Sequence, residues 1–551
     1  MSLTSDLAAT SNNKGIAARS VKTLHVAPMI RVSTPEFRAF VRILTKKATL
    51  WTEMVVDETL WYHRNDPGAL QTYLGSLKRT DSNDHEISAQ QRNPIVCQLG
   101  GITPKHTAKA TQIITAFGYD EINLNMDCPS ARVVNDGLGG TSCCQTVTES
   151  NTGSNTTNSQ SQSPQPRRRR QFGAILMKET DRAVELVKTI WENTHLPVSV
   201  KCRVGVDNED SWEFLEAIVR SLRPYCQRFY IHARKCLLQG LSPAQNRIVP
   251  PLNYPCVYRL CESFPDCEFY LNGGLPGLAT ARAILYGTSF RPQSFGKEDV
   301  HRDSATPTVR GGCYQNAHQT IPCNICQLSN GSCVAPPILA PTNLQGVMLG
   351  RAWIDHPAQF WDVDRFIYGC DYNNNSETPC RTRRDVLEQY LAYLERIYPR
   401  RCCDNNPTVT TRLPSPKIQH TREHCFVCVQ LYQRNQGKAT LAQIVPSKWA
   451  LKAPDQIKIS SRVVDRSVQP VLGIFFQQPG AKAFRRACDA WSRDLTWRNC
   501  GPATLLRMVL YEQETLIAPA LDRPLVRTEE LRETDVVAHA APPTATLCRT
   551  G

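Results

Sequence analysis

Eight short runs rich in β-branched and aromatic residues recur along this chain, and they restrict its fold more than any other feature. Helix-like stretches such as 35–47 and 104–118 separate most of them. The runs lie at 24–29, 50–56, 95–99, 121–125, 197–202, 228–233, 268–274 and 346–350. They are near-continuously apolar, which is typical of parallel strands covered on both faces. Strand alternating with helix eight times predicts an α/β fold, a (β/α)8 TIM barrel.

Three polar segments interrupt this alternation. They are rich in Ser, Thr, Asn, Gln, Pro or Cys, they show no apolar periodicity, and they lie at 138–171, 285–343 and 402–448. Such compositions bury too little apolar surface to fold, so we predict long disordered insertions. A second interpretation is a gene model that retains non-coding sequence at these points.

Amphipathic patterning continues after the last strand. The stretch 384–398 has the pattern of one helix, and 460–495 that of two helices joined at Gln477–Gly480. These stretches predict a smaller all-helical domain after the barrel. The predicted organisation is a disordered segment 1–20, a barrel 21–370, a helical domain 371–515 and a disordered tail 516–551.

The charge balance indicates the kind of partner. The chain carries 64 Lys and Arg against 50 Asp and Glu, a net charge of +14. A basic surplus of this size favours a polyanionic partner or an acidic surface. No apolar run approaches the roughly 18 residues of a membrane-spanning helix, which excludes an ordinary transmembrane protein.

The 23 cysteines bear on the cellular compartment. Residues 1–20 lack the apolar segment of a secretory signal, and cysteines such as Cys97 and Cys202 lie inside apolar runs. We therefore predict reduced, buried thiols and a cytoplasmic protein. Lys14 and Arg19 leave a mitochondrial presequence as the alternative.

Two groups of residues have a loose likeness to zinc sites. Their spacing is irregular for a structural zinc site, so we predict no metal. The groups are Cys313, Cys323, Cys326 and Cys333, and His420, His424, Cys425 and Cys428.

Polar or glycine residues follow nearly every predicted strand, and the carboxyl ends of barrel strands meet at the functional face. Glycine turns at 273–274 and at Gly350 let backbone N–H groups approach a phosphate, where Arg351 adds a fixed charge. Gln98 and Lys201 are suited to hydrogen-bond the polar edge of a flavin ring. The set predicts a flavin phosphate site at the barrel mouth.

Cys128 lies in a loop just after the fourth run, followed by Pro129 and close to Asn125. A thiol in such a loop can donate a proton to a carbanion-like carbon or act as a nucleophile. A buried structural cysteine is the alternative in a cysteine-rich chain. The position at a strand end favours the catalytic interpretation.

Several segments together resemble the tRNA-dihydrouridine synthases, in particular the bacterial A-type subgroup. They include VAPM, TEMV, CQLGG, GYDEINLNMDCPSARV, VKCRVGVDNEDSWEFL, FYIHARKCLLQGLSPAQNR and GVMLGRAW. The resemblance covers 24–137, 172–284, 344–400 and 455–495. Its most specific parts are the IHARKCLLQGLSP stretch and the NxxCPS loop that contains Cys128.

This resemblance implies a flavin-dependent oxidoreductase. Such an enzyme binds FMN in the barrel mouth, uses NADPH as reductant, and reduces the C5=C6 bond of a D-loop uridine in tRNA, here U20 or U20a. Cys128 is then the proton donor to C5. The implied partner is tRNA, gripped by the helical domain, and we predict a monomer with no obligate protein partner and no membrane attachment.

The resemblance also implies roles for individual residues. Those implied to bind FMN are Pro28, Met29, Ile30, Gln98, Lys201, His232, Asn272, Gly273, Gly274, Gly350 and Arg351. Those implied to contact the uridine or the tRNA are Asn125, Arg132, Arg234, Arg247, Arg485 and Arg486.

Two rival interpretations remain open at this point. The first is a flavin barrel for a small molecule, of the ene-reductase or dihydroorotate-dehydrogenase type, which the GLSPxxNR segment and the basic helical domain disfavour. The second is a tRNA-binding protein without catalysis, which the long insertion at 138–171 keeps open and Cys128 disfavours.

Overall fold

The computed structural model describes residues 22–75, 94–129, 172–286, 341–370, 382–398, 461–493 and 501–525. Within these ranges the chain forms eight parallel strands in the order β1-β8-β7-β6-β5-β4-β3-β2. They are β1 Thr23–Val26, β2 Leu50–Val56, β3 Ile95–Gly100, β4 Glu121–Met126, β5 Val198–Arg203, β6 Arg228–His232, β7 Glu268–Asn272 and β8 Leu344–Leu349. Thr49, directly before β2, pairs in parallel with His25 of β1 and closes the barrel. The predicted (β/α)8 TIM barrel is confirmed.

Helices follow the strands and cover the outside of the barrel. They are α1 Pro35–Leu44, α2 Asp57–Tyr62, α3 Pro67–Leu74, α4 Pro104–Ala116, α5 Thr180–Glu192, α6 Trp212–Leu222, α7 Tyr254–Ser263, α8 Leu278–Tyr286, α9 Arg351–Asp355 and α10 Val363–Tyr368. A Thr-Pro pair starts both α1 and α4, because the threonine side chain accepts a backbone N–H of the first turn and proline tolerates the first helical position.

The strands are buried on both faces, yet they are not uniformly apolar. Along β4, Ile122 and Leu124 pack outward into the core beneath the helices, whereas Asn123 and Asn125 point into the barrel. The expectation of near-continuous apolar strands was therefore wrong for this part of the sheet. Side chains alternate along a strand, and here the inward set is polar and mutually hydrogen-bonded, which offsets the cost of burial.

Another polar layer lies at the end of the barrel opposite the mouth. The Glu121 carboxylate accepts hydrogen bonds from Arg228 and Tyr230, at 3.0 and 3.1 Å. His25 lies against the rings of Tyr230 and Tyr270, and its Nδ1 accepts the Trp51 indole N–H at 3.2 Å. Burial, reinforced by the nearby Arg228, lowers the pKa of His25 to about 3. This layer therefore holds an imidazole that is neutral in the folded protein.

The C-terminal helices pack beside α1 and reach the barrel mouth. They are α11 Arg383–Ile397, α12 Ser461–Val468, α13 Ala481–Arg493, α14 Pro502–Glu512 and α15 Glu514–Leu521. The Phe40 ring of α1 contacts Tyr390 of α11 edge to face. Buried Arg383 donates to the carbonyl of Ile474 at 2.9 Å, which ties α11 to the segment before α13.

Only some of the predicted segment boundaries fall within the described residues. Helix α15 buries Ile517 and Leu521, so the predicted start of a disordered tail at 516 was wrong. Apolar residues in this Pro- and Ala-rich stretch have α14 to pack against, which the composition alone did not reveal. The segment 1–20, the insertions 138–171 and 402–448, and most of 285–343 lie outside the described residues, as do both cysteine-containing groups.

Two observations concern membranes and metals. No helix in the described part of the chain combines the length and apolar character needed to cross a bilayer. Across the same residues, no group of three His, Cys, Asp or Glu side chains is arranged to hold a metal ion.

The buried His25 predicts a specific pH dependence of stability. Its pKa is lower in the folded state than in the unfolded chain, so its contribution is complete above about pH 6.5 and is lost as the pH falls toward 3. We expect the fall in Tm between pH 7 and pH 5, measured by calorimetry, to be smaller in His25→Gln than in the wild type. Exposed His195→Gln serves as the control and should keep the wild-type difference. An unchanged pH dependence in His25→Gln would contradict this assignment.

Candidate active site at the barrel mouth

A cavity of about 1080 Å³ opens at the carboxyl ends of the strands. Its wall combines the loops after the strands with Leu472, Gly473, Phe476 and Arg485 from the C-terminal helical part. A volume at the upper end of the range for small-molecule sites is sufficient for a cofactor together with part of a substrate.

Most of the residues predicted to form the site converge on this cavity. Those that line it are Pro28, Met29, Ile30, Gln98, Asn125, Cys128, Lys201, His232, Arg247, Asn272, Gly273, Gly274, Gly350, Arg351 and Arg485. They are far apart in the sequence, so closure of the barrel and, for Arg485, the packing of the C-terminal helices bring them together.

Three predicted residues do not line the cavity or cannot be placed. Arg234 donates to the backbone carbonyls of Ile248 and Pro250 and so shapes the loop after β6. Arg486 is exposed on α13 and lies outside the cavity wall. Arg132 lies outside the described residues. Their predicted contacts with tRNA stay predictions.

A glycine pair after β7 forms one side of the cavity. Gly273 and Gly274 have φ values of 109° and 68°, a backbone region that side chains rarely adopt. A Cβ on Gly273 would meet the ring of His232 at 2.6 Å, and one on Gly274 would meet Leu252 at 2.3 Å. Because a side chain would collide with His232 or Leu252, these two positions of the cavity wall accommodate only glycine.

A chain of amides holds the loop that carries Cys128. Asn125 donates to Gln98 Oε1 at 2.9 Å, and Gln98 donates to Asn123 Oδ1 at 2.9 Å. Asn125 Oδ1 in turn accepts the backbone N–H groups of Asp127 and Cys128. Cys128 is half-buried at the cavity edge. Asn125 therefore positions the cysteine loop, whatever contact it makes with a ligand.

Asp127 is the centre of a charged cluster that the sequence analysis missed. Its carboxylate lies 2.6 Å from Lys201 Nζ, 2.7 Å from Arg203 Nε and 3.4 Å from His232 Nδ1. Arg203 also donates to the carbonyls of Lys235 and Asn246, at 3.3 and 3.0 Å. We call Asp127, Lys201, Arg203 and His232 the Asp127 cluster. It joins the cysteine loop to β5, β6 and the loop after β6.

Opposing effects set the protonation states of this cluster. Burial alone would raise the pKa of Asp127, but the charges of Lys201 and Arg203 outweigh it and hold that pKa well below its usual value. Burial, reinforced by Arg203, lowers the pKa of His232 to about 3. At neutral pH the cluster therefore contains one carboxylate, two cations and a neutral imidazole.

A sequence signal was available for one of the residues that were missed, and none for two others. Arg203 lies two residues after Lys201 on β5, so the alternation of a strand places both on the inward face. His356 and Phe476, whose rings lie 4.8 Å apart in the cavity wall, had no comparable signal. Their contact depends on how the C-terminal helical part packs against α9.

The Asp127 cluster predicts a large effect of a nearly isosteric change. Asp127→Asn removes the charge that neutralises two buried cations, so we expect a loss of about 3–5 kcal/mol in unfolding free energy at pH 7. The contribution of Asp127 is complete above its unfolded pKa of about 3.9 and is lost only as the pH falls through its much lower folded pKa, so the difference between the two proteins should be smaller at pH 3 than at pH 7 without closing. Denaturant unfolding at pH 7 and pH 3 measures both effects.

The control is Asp489→Asn, which removes a carboxylate that is 61% exposed and pairs with Arg493 one helical turn away. Exposed pairs of this kind contribute little, so its stability should stay close to that of the wild type. Equal effects of the two substitutions would show that the Asp127 cluster does not stabilise the fold.

Comparison with known proteins shows the family to which the chain belongs. The profile of the dihydrouridine synthase (Dus) family matches residues 25–145 and 164–291. A tRNA-dihydrouridine(20/20a) synthase of Vibrio parahaemolyticus is 34% identical over 374 residues, which cover 68% of this chain and 80% of that protein. The Vibrio cholerae protein of the same name is 28% identical over 375 residues, with the same coverage. The Escherichia coli K12 protein of that name is 34% identical over 262 residues, 47% of this chain and 61% of that protein. The chain belongs to the dihydrouridine synthase family.

Proposed function

We propose that this protein reduces the C5=C6 bond of a D-loop uridine in tRNA to 5,6-dihydrouridine, with bound FMN and with NADPH as reductant. The observation that carries this proposal is the position of Cys128. Asn125 fixes its loop at the edge of a cavity whose wall also includes the glycine pair at 273–274. The names of the relatives support tRNA as the substrate and position 20 or 20a as the modified uridine.

The cavity fits a flavin mononucleotide. The backbone at 273–274 and at Gly350 offers a place for its phosphate, with Arg351 beside it. Gln98 and Lys201 also line the cavity, where they would face the polar edge of the ring. With these residues holding FMN, reduction by NADPH would provide the hydride needed at C6 of the uracil.

Cys128 would complete the reduction. Its thiol donates a proton to C5 as the hydride arrives at C6, so the double bond gains one hydride and one proton, and the thiolate regains a proton from water. The hydrogen bonds from the backbone N–H groups of Asp127 and Cys128 to Asn125 hold the thiol at the cavity edge, because they leave the loop little freedom.

The Asp127 cluster would set the charge beside the ligand. Lys201 uses one of its three N–H donors on Asp127 and keeps the others for a ligand. A cation here favours negative charge on a reduced ring. The neutral imidazole of His232 adds a hydrogen-bonding group without adding a third positive charge.

The charge of the cavity wall supports a nucleic acid as substrate. Its basic side chains are Arg31, Lys201, Arg203, Arg247, Arg351 and Arg485, and its carboxylates are Asp127 and Asp355. This excess of positive charge would not help to bind a small neutral substrate, whereas it would attract the phosphates of tRNA. The target uracil must leave its stack to enter the cavity, and contacts to the flanking backbone help to offset that cost. The monomeric state and the cytoplasmic location stay predictions.

A nucleoside assay tests the reaction. We expect purified protein with FMN and NADPH to form dihydrouridine in tRNA from synthase-deficient cells, and Cys128→Ala to lower the rate by at least about 100-fold, since it removes the proton donor. Mass spectrometry of the digested tRNA measures the product. Cys370→Ala is the matched control, because Cys370 is also half-buried but lies outside the cavity wall.

The outcomes of this assay also distinguish the rival functions. If the protein forms no dihydrouridine but oxidises NADPH when a small unsaturated substrate is added, it is a small-molecule flavin enzyme. Binding of tRNA without bound flavin or NADPH oxidation would indicate a non-catalytic tRNA-binding protein. Full activity in Cys128→Ala would rule out Cys128 as the acid.

A second test concerns the flavin site. Gly273→Ala adds a methyl group that collides with His232, so we expect the dissociation constant for FMN to rise by about tenfold or more. Flavin fluorescence measures it. Gly118→Ala is the control, since Gly118 also has a positive φ, of 79°, but a Cβ there meets nothing within 4 Å. Unchanged flavin affinity in Gly273→Ala would place the cofactor elsewhere.

A further inference from the structure

The loop between β1 and α1 is closed by its own hydrogen bonds. Ser33 donates to the carbonyl of Ala27 at 3.1 Å and accepts the backbone N–H of Met29 at 3.0 Å. The backbone N–H groups of Val32 and Ser33 both donate to the carbonyl of Met29. This tight closure forces Ile30 and Arg31 outward at the tip of the loop, on the cavity rim.

Arg31 adopts a backbone conformation that is unusual for its residue type. Its φ is 64°, in the left-handed region, and its side chain is exposed while lining the cavity. Such a conformation costs free energy for a residue with a Cβ and tends to persist where a site requires it. Here the Arg31 N–H donates to a carboxylate oxygen of Glu53 on β2, which holds the backbone in place.

Glu53 accepts a hydrogen bond from the backbone of Arg31 and does not pair with the Arg31 guanidinium. One carboxylate oxygen accepts the Arg31 N–H, and the other lies 4.0 Å from Arg466 of α12. Among the described residues, no carboxylate pairs with the Arg31 guanidinium. A negative group therefore lies close by, yet the cation faces the cavity rim without being neutralised.

We propose that Arg31 binds a phosphodiester of the tRNA beside the uridine that enters the cavity, and that Glu53 is its positioning residue. This inference rests on the proposed function. The phosphate of FMN has the same chemistry as a ligand, but three observations favour the RNA. Arg31 is exposed, its neighbour Ile30 is 54% exposed, and Glu53 links the loop to α12, one of the C-terminal helices. A partner that reaches this point arrives from solvent, between the barrel rim and those helices.

The test is the salt dependence of tRNA binding by the full-length protein. We measure the dissociation constant for tRNA from synthase-deficient cells between 50 and 200 mM salt. Loss of one phosphate contact in Arg31→Gln should reduce the slope of log K against log salt by about 1 and weaken binding at 100 mM salt by roughly three- to tenfold. Arg31→Lys should retain the slope, and the affinity for FMN should stay within about twofold in both variants.

Arg31→Gly separates binding from folding. Glycine accepts the left-handed conformation without strain, so this variant should unfold at or above the wild-type temperature while binding tRNA as weakly as Arg31→Gln. Arg220→Gln is the control for loss of one surface charge, since Arg220 on α6 is 64% exposed and lies outside the cavity wall. It should keep the wild-type slope.

Substitution of Glu53 separates a positioning role from a purely electrostatic effect on tRNA binding. Removing a carboxylate near bound RNA should strengthen binding, whereas loss of a positioning residue should weaken it. We expect Glu53→Ala to weaken tRNA binding, with no further loss when it is combined with Arg31→Gln. Glu53→Gln keeps an oxygen for the Arg31 N–H and should bind at least as tightly as the wild type.

The outcomes are distinct. A wild-type salt slope in Arg31→Gln overturns the inference and leaves the proposed function intact. Weaker FMN binding with an unchanged tRNA slope also overturns it, because Arg31 would then bind the cofactor phosphate. A wild-type protein that neither binds tRNA nor forms dihydrouridine contradicts the proposed function itself, together with this inference.

Discussion

The geometry of the mouth depends first on the Asp127 carboxylate. Lys201 and Arg203 leave water as β5 is buried, and each requires a counter-charge to offset its desolvation. Asp127 supplies that charge from the residue directly before Cys128. The cysteine loop is therefore attached to β5, which carries both cations, and through Arg203 to the loop after β6. One electrostatic requirement thus fixes the positions of two separate loops relative to β5.

Polar side chains are also paired with one another inside the barrel, below the mouth. Asn123 and Asn125 bond to Gln98, and the layer around Glu121 and Arg228 closes the far end. Each polar side chain finds a partner because neighbouring strands place inward residues at matching heights. Hydrogen bonds are directional. This network therefore restricts the positions of the side chains at the mouth of the barrel more than an apolar core would.

The cavity is a joint product of the barrel and the C-terminal helices. Phe476 and Arg485 complete a wall whose other members follow the strands. The close packing at Gly473, where a Cβ would meet the carbonyl of Ile354 at 2.1 Å, brings the two parts together without intervening side chains. Glu53 adds a polar link between the loop after β1 and α12. A substrate held at this mouth would contact both parts at once.

Local patterns in the sequence determined the barrel, the strand-end positions of Gln98, Lys201 and Cys128, and the presence of helices after the last strand. Apolar runs, proline and threonine at helix starts, and glycine at strand ends each act over a few neighbouring residues, so they can be seen without a structure. Alternation along β5 already indicated that Arg203 and Lys201 share the inward face. Tertiary structure alone decided the pairing of these cations with Asp127, the left-handed Arg31 and the contact between His356 and Phe476. They join residues from separate strands, loops and helices, and charge pairing of this kind leaves no periodic trace along the chain. The end of the ordered chain was misplaced for the same reason, because Ile517 and Leu521 become buried only against helices formed elsewhere.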